Sequence, residues 1–239
     1  MIGGVKFGEG DKFDDYLHSF DDLGLILTKT ELPMPSPKFI RVSVPGMDGD
    51  LDLSDYFGRI RYENRKINMT FAVSEAYRSR YSTGTRIATL FHGKKVRIIF
   101  DDDPDHYYEG RITMEKLEVK GKHHKITLVA DCDPYKTDVI PSHAPWKWDT
   151  FSFVTGVIRD TSNIKVDGRL TYTLIGSPKP VALTVYTESS GIVVKKGKTS
   201  VTLERGLNTI YDIEILDGEN SLVFEGNGIV SIQYAGGYL

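Results

Sequence analysis

The most informative part of the chain runs from Val44 to Phe71 and reads V-P-G-M-D-G-D-L-D-L-S-D-Y-F-G-R-I-R-Y-E-N-R-K-I-N-M-T-F. It opens with a cluster of turn-forming residues, Pro45 to Gly49, and continues into a short acidic segment. Near its end, apolar side chains occupy every second position, at Ile67, Met69 and Phe71. This period of two is typical of a β-strand with one buried face. The stretch therefore predicts a shaped turn followed by a strand that anchors a sheet.

The acidic segment has the beginning of a calcium-loop pattern, with Asp48, Asp50 and Asp52 at the first, third and fifth positions. The pattern then fails, because Leu53 stands where the loop needs glycine and Arg59 where it needs a bidentate glutamate. We expect these carboxylates instead to cap a short helix or turn around Ser54 and Asp55, since short oxygen side chains satisfy free backbone N–H groups. No catalytic, cofactor-binding or metal-binding residues are predicted anywhere in the chain.

The composition is that of a soluble globular protein rather than a nucleic-acid binder. The chain has 239 residues with 30 basic and 33 acidic side chains, and its formal net charge is −3. A DNA-binding or RNA-binding protein usually carries a basic face. No apolar run approaches the roughly 20 residues of a membrane span. The single cysteine, Cys132, excludes an intrachain disulfide and is predicted to be a small buried core residue.

Upstream of Val44–Phe71, the segment from Thr28 to Lys38 carries three prolines at every second position, Pro33, Pro35 and Pro37. Proline lacks the N–H that a sheet needs, so this segment is predicted to be extended and outside any sheet. Two interpretations are open: a surface loop, or an arm that reaches another subunit.

Downstream, the spacing of Ile87, Leu90 and Phe91 predicts a helix within 74–92. Two hairpins follow. The first pairs residues 95–100 with 107–113 around an acidic turn at 101–105, where we expect solvated carboxylates. The second pairs 117–119 with 126–130.

The second half of the chain has a different pattern. Residues 137–165, with Trp146 and Trp148, lack clear periodicity and are predicted to be a linker or crossover. From Val166 onward, seven short alternating runs predict an antiparallel β-sandwich. The last two runs, Ser221–Glu225 and Gly228–Tyr234, are predicted to be separate strands joined by a turn at 226–228. The sequence thus predicts a mainly β protein: an N-terminal, sandwich-like domain with one helix over 1–136, a linker over 137–165, and a C-terminal sandwich over 166–239.

The chain resembles the distal tail protein (Dit) family of non-contractile bacteriophage tails and prophages. The resemblance rests on the Val44–Phe71 stretch, on L-F-H-G-K-K-V-R-I-I-F-D-D-D-P-D-H-Y-Y-E-G-R from Leu90, and on D-C-D-P-Y-K from Asp131. G-L-N-T-I-Y-D-I from Gly206 and G-N-G-I-V-S-I-Q-Y from Gly226 resemble the second domain of the family.

This resemblance implies a structural virion protein and not an enzyme. Such proteins form a homohexameric ring, single or stacked as two rings, which is the hub at the distal tail tip. The ring joins the major tail-tube protein to the tail-tip and baseplate or receptor-binding proteins. DNA passes through its channel without specific recognition, and assembly takes place in the cytoplasm of the host bacterium. The C-terminal domain is expected to be galectin-like or similar to a carbohydrate-binding module.

Two further expectations follow. Ring formation needs an intersubunit surface, and the residues predicted to contribute to it are Pro33, Pro35, Pro37, Arg59, Arg61 and Arg65. The alternative function is a carbohydrate-binding or adhesion module that contacts the host surface, with Trp146, Trp148, Tyr186 and Tyr211 as its aromatic residues.

Overall fold

The computed structural model describes residues 3–56, 58–73, 80–120, 123–142 and 161–239. The chain forms two compact units, Met1–Lys136 together with Leu239, and Thr137–Tyr238. Most of the predicted linker, including both tryptophans, lies outside the described residues.

The first unit is built from nine strands, a short 3-10 helix at Phe13–Asp15 and one described α-helix, α1 (Arg80–Phe91). The strands are β1 (Val5–Gly8), β2 (Leu17–His18), β3 (Leu25–Glu31), β4 (Arg41–Ser43), β5 (Asp50–Asp52), β6 (Arg65–Val73), β7 (Lys95–Phe100), β8 (Asp103–Lys120) and β9 (His123–Cys132).

Seven of these strands form one antiparallel sheet in the order β2-β1-β7-β8-β9-β6-β3. Ser19 links the two edge regions of this sheet by hydrogen bonds. Its N–H donates to the carbonyl of Val5 in β1 at 2.8 Å, and its carbonyl accepts from the N–H of Leu25 in β3 at 2.7 Å. Its hydroxyl oxygen also accepts from Val5 N at 3.1 Å. The sheet is thereby nearly closed, and its inner face forms the core.

Strand β6 follows the predicted alternation. Ile67, Met69 and Phe71 are fully buried, while the residues between them are only partly buried or exposed. Helix α1 covers the same core with Ile87 and Phe91. Gly84 lies where α1 approaches β8, and a Cβ there would be 2.9 Å from a methyl carbon of Leu117. A side chain at this position would require the end of the Leu117 side chain to shift.

Three local predictions for this unit need correction. Residues 28–31 belong to β3, because β3 continues to pair with β6 as far as Glu31, which lies opposite Asn68. The two predicted hairpins share one long strand, β8, with a register shift between Met114 and Lys116. The acidic turn is also shorter than predicted, since Phe100 already pairs with Asp103.

The second unit is also antiparallel. The strands of its sheet are β11 (Ile164–Gly176), β12 (Val181–Thr187), β13 (Ile192–Lys196), β14 (Thr199–Leu203), β15 (Gly206–Ile215) and β16 (Gly218–Gln233). Two short strands outside this sheet, β10 (Lys136–Asp138) and β17 (Gly237–Tyr238), pair with each other. The order is β14-β13-β16-β12-β15, and β11 lies beside β16. The mainly β fold class predicted from the sequence is confirmed.

Strand β16 contradicts the turn predicted at 226–228. The pairing of β11 with β16 runs unbroken through Gly226 and Gly228. A Cβ at Gly228 would lie 2.6 Å from the Ser189 hydroxyl oxygen, and φ at Gly228 is 154°. These glycines permit a close approach of the 189–192 loop, so the two predicted strands are one continuous strand.

Candidate subunit interface

The first unit carries a segment that does not join its main sheet. Residues 32–60, here called the arm, leave the end of β3 and return toward β6. Strands β4 and β5 within the arm pair only with each other among the described strands, with Arg41 opposite Asp52 and Val42 opposite Leu51. A two-stranded hairpin on its own is marginally stable in water. The arm therefore depends on contacts beyond its own pairing.

The base of the arm is held by backbone hydrogen bonds to the chain that returns from it. Lys38 N donates to Arg61 O, and Glu63 N donates to Ser36 O, both at 2.8 Å. Pro37 lies opposite Tyr62 in an isolated bridge. The prolines thus do not prevent an antiparallel ribbon at the base.

A side-chain network fixes the start of the hairpin. The Ser54 hydroxyl oxygen accepts from Ile40 N at 2.9 Å, and the same hydroxyl donates to the Asp52 carboxylate. Ser54 N also donates to Asp52 Oδ1 at 2.9 Å. These hydrogen bonds from Ser54 hold the pKa of Asp52 below its usual range. The predicted capping role of the acidic segment is confirmed at Asp52, which forms an Asx-type turn.

The surface of the arm is unusually apolar. More than half of the exposed large apolar side chains in the described residues lie within it, namely Leu32, Met34, Phe39, Ile40, Val42, Val44, Met47, Leu51, Tyr56 and Ile60. Met34 is the most exposed of the aliphatic ones, at 74%. A concentration of exposed apolar side chains in one segment is typical of a site of protein association. The arm therefore has the chemistry of a surface that another molecule covers.

The structure separates the predicted interface residues into two groups. Pro33, Pro37 and Arg61 are exposed and Arg59 is half-buried, so their side chains lie at or near the arm surface. Pro35 and Arg65 are buried within the protomer. An interface role for any of the six stays a prediction, because it concerns a second chain.

Arg65 is an ionisable residue in a core position. It is 4% exposed, and its guanidinium carbon lies 5.3 Å from the ring centre of Tyr108. Its Nε and Nη2 atoms have no hydrogen-bond partner in the described part of the protein. Burial raises the pKa of Tyr108, so the neutral phenol ring presents its face to the cation. The alternation that predicts Ile67 to be buried also predicts Arg65 to be buried, two residues earlier.

Two other charged clusters have structural explanations. Asp103 accepts from Lys136 Nζ at 2.6 Å and lies 2.5 Å from His106 Nδ1. Burial raises the pKa of Asp103, but these hydrogen bonds outweigh burial and the pKa is lowered overall. His18 Nε2 lies 3.2 Å from Asp101, which also accepts from Gly4 N at 2.5 Å. The sequence predicts solvated carboxylates in this turn. Both aspartates instead form hydrogen bonds to residues at other strand ends.

Cys132 is fully buried in the first core, as predicted. Burial, assisted by Asp133 and Asp131, raises the pKa of its thiol to about 12. Within the described ranges, no three His, Cys, Asp or Glu side chains are grouped in a way that could hold a metal ion. No helix there is long and apolar enough to cross a membrane.

The sequence did not reveal the apolar surface of the arm. Val42, Val44 and Leu51 look like ordinary sheet residues, and their exposure becomes visible only once β4 and β5 are seen to lack a third strand. A usable signal was present, however. Apolar residues in a segment rich in prolines, glycines and aspartates have few local partners with which to form a core.

Comparison with known proteins gives a likeness to a solved structure. No protein-family model matches the chain, and no curated protein matches its sequence. Among solved structures, the chain is similar in fold to the Dit protein (gp 19.1) of phage SPP1, described as a paradigm of the hub adsorption apparatus in phages that infect Gram-positive bacteria. The match covers 100% of both chains with a TM-score of 0.59 and 14% sequence identity. This likeness establishes a Dit-like β fold.

Proposed function

We propose that this protein is a structural component of a phage tail-tip adsorption apparatus, the hub at the distal end of a non-contractile tail. The observation that carries the proposal is the similarity in fold to SPP1 Dit along the full length of both chains. The exposed apolar arm adds independent support, because it gives the protomer a surface suited to self-assembly.

In this proposal six copies form a ring through head-to-tail contacts. Such heterologous contacts join two different surfaces of the same chain and close into a ring when the rotation is right. The arm of one copy would bury its apolar residues on the next copy. Its β4 and β5 edges also offer unpaired backbone groups, and main-chain pairing with a neighbour would fix the register of the contact. Pro33, Pro37 and Arg61 would lie at this contact.

The ring would connect the tail tube to the tail-tip protein and to baseplate or receptor-binding proteins. A single ring and two stacked rings are both compatible with this role. The small net charge of −3 suits a channel through which DNA passes, since each phosphate contact adds salt-dependent affinity. The protein would be assembled in the host cytoplasm and then reside at the tail tip of the virion.

The second unit would be the outer domain of the hub. Its antiparallel strands and separate core are compatible with the galectin-like or carbohydrate-module-like domain that the sequence predicts. In the hub it would provide a platform for the proteins that contact the host. No chemistry is needed for this role.

Size-exclusion chromatography with light scattering, followed by negative-stain imaging, tests the proposal. We expect a mass that is six or twelve times that of the 26.9 kDa chain, and ring-shaped particles. A protein that stays monomeric at high concentration, and also after mixing with tail-tube and tail-tip proteins, would overturn the proposal.

A further inference from the structure

Two turns of the second unit are closed in the same way by an asparagine side chain. Asn208 Oδ1 accepts a hydrogen bond from Glu204 N at 2.9 Å, and its Nδ2 donates to Glu204 O at 2.7 Å. Asn220 Oδ1 accepts from Leu216 N at 3.0 Å, and its Nδ2 donates to Leu216 O at 2.7 Å. In both turns the amide satisfies backbone groups four residues earlier, so each turn is closed by its asparagine alone.

A lysine distinguishes the second turn from the first. Lys196 Nζ donates to Asn220 Oδ1 at 2.7 Å and also to Glu214 O. Among the described residues, no lysine is hydrogen-bonded to Asn208, although its turn is closed in the same way. The lysine is therefore not needed for the turn itself. We propose that Lys196 and Asn220 react to form an intramolecular isopeptide bond, which joins β13 covalently to β16.

The asparagine amide is held in a fixed orientation. Asn220 is buried, with 3% of its surface exposed. Besides Leu216 O, its Nδ2 donates to Gly218 O at 3.0 Å and to Leu174 O at 3.4 Å. A Cβ at Gly176 would lie 2.9 Å from the same nitrogen, so the backbone packs closely around it. Because the amide is fixed and already contacts the amine, the two reacting groups are held together before the reaction.

The environment of Lys196 favours a reactive amine. An amine is nucleophilic only in its neutral form. Burial lowers the pKa of Lys196, and this effect outweighs the opposing attraction of Glu214. The neutral fraction is therefore larger than for an exposed lysine at the same pH. Glu214 also supplies a carboxylate near the amine, where it can accept a proton and return it.

The reaction is an aminolysis of the side-chain amide. The lone pair of the neutral Lys196 Nζ attacks Cγ of Asn220, and the N–H of Leu216 stabilises the negative charge that develops on Oδ1. The Glu214 carboxylate takes one proton from Nζ and delivers it to Nδ2. The Cγ–Nδ2 bond then breaks and ammonia leaves, while the new Cγ–Nζ bond remains as an amide. The reaction needs no oxidant or further reactant.

Intact-mass spectrometry of the denatured full-length protein tests the proposal. We expect a population lighter than the sequence mass by about 17 Da, the mass of one ammonia molecule. Trypsin should then release residues 206–239, which contain Asn220, joined to residues 196–198, which contain Lys196. A protein that is folded by circular dichroism and has only the full sequence mass would overturn the proposal.

Lys196→Arg is the decisive variant, because it keeps the positive charge and the turn closed by Asn220 but removes the reactive amine. The mass deficit should disappear. Lys195→Arg is the matched control, since Lys195 precedes Lys196 on β13 and forms an ion pair with Glu225 at 2.6 Å. The deficit should remain in this control. A deficit that persists in Lys196→Arg would belong to another site and would also overturn the proposal.

The isopeptide bond does not depend on the hub proposal. It forms within one chain, so a monomer and a ring should show the same mass deficit. A ring without the deficit overturns only the isopeptide bond, and a protein that carries the deficit but stays monomeric with its partners overturns only the hub. Like a disulfide, such a link closes a loop of the chain and stabilises the fold by restricting the unfolded state.

Discussion

The two halves of Val44–Phe71 contain similar apolar residues, but these are exposed in the first half and buried in the second. In the first half, Val44, Met47 and Leu51 are between 38% and 47% exposed. In the second half, Ile67, Met69 and Phe71 are completely buried. The difference follows from pairing. Strand β6 has β9 on one side and β3 on the other, and one of its faces is covered by the core. Strands β4 and β5 have only each other.

This comparison shows that apolar content alone does not decide burial. A strand is buried when the sheet around it is wide enough to curl over its apolar face, as the Ser19 junction permits for the main sheet. A two-stranded hairpin cannot provide that cover. The arm therefore leaves its apolar side chains exposed, and this difference gives predictions that are specific to each half.

The largest expected effect is on assembly. Val42 and Leu51 are directly opposite each other on the arm, so Val42→Asp/Leu51→Asp places two like charges side by side in an apolar contact. We expect complete loss of the proposed hexamer, measured by light scattering, with little change in melting temperature because both residues are exposed. Leu207→Asp, an exposed apolar position in the second unit, is the control and should leave the ring intact. A hexamer that persists in the arm variant would contradict the interface assignment.

The second effect is on stability. Phe71→Ala removes a fully buried ring that packs 6.3 Å from the Phe7 ring, and should lower the free energy of unfolding of the first unit by about 3–5 kcal/mol. Met47→Ala, the counterpart in the arm, should change it by less than about 0.5 kcal/mol. Denaturant unfolding of the ring-deficient protein measures both without a contribution from assembly. Equal losses for the two variants would remove the distinction between the halves.

The third effect concerns Arg65, the first inward-facing residue of β6. Arg65→Met keeps much of the volume and removes a buried cation, two of whose nitrogen atoms have no hydrogen-bond partner among the described residues. We expect the free energy of unfolding to stay within about 1 kcal/mol of the original or to rise. Measuring the change in the free energy of unfolding in both ring-forming and ring-deficient backgrounds distinguishes an effect on folding from an effect on assembly. A loss above about 3 kcal/mol in the ring-deficient background would show that the guanidinium is well satisfied within the protomer.

The smallest effect is the pH response of the arm. The folded-state pKa of Asp52 is depressed, so its contribution to hairpin order is present above the ordinary value of 3.8 and is lost as pH falls through the lowered value. The amide shift of Ser54, followed by NMR, should titrate with a midpoint below 3.8. Asp52→Asn should abolish that titration. A midpoint at or above the ordinary value would mean that the hydrogen bonds from Ser54 do not favour the carboxylate.

The sequence predicted the framework well and the surface poorly. Alternation of period two identified the buried face of β6, and helical spacing identified α1 through Ile87 and Phe91. Both signals are local. Long-range effects could not be read in the same way: β8 and β16 are each one strand because distant partners continue the pairing past Glu115 and through Gly226. The proline-rich, glycine-rich and aspartate-rich composition of the arm indicates few local core partners. The absence of a third described strand beside β4 and β5 is visible only in the structure.

The single buried thiol makes the protein suitable for site-specific chemistry. Thiolates, not thiols, react with maleimides and disulfide reagents, and Cys132 is both inaccessible and held in the protonated form. A cysteine introduced by Met47→Cys at the tip of the arm would then be the group that takes up a label. Spin or fluorescent probes attached there could report distances between neighbouring copies in an assembled particle without first removing the native cysteine.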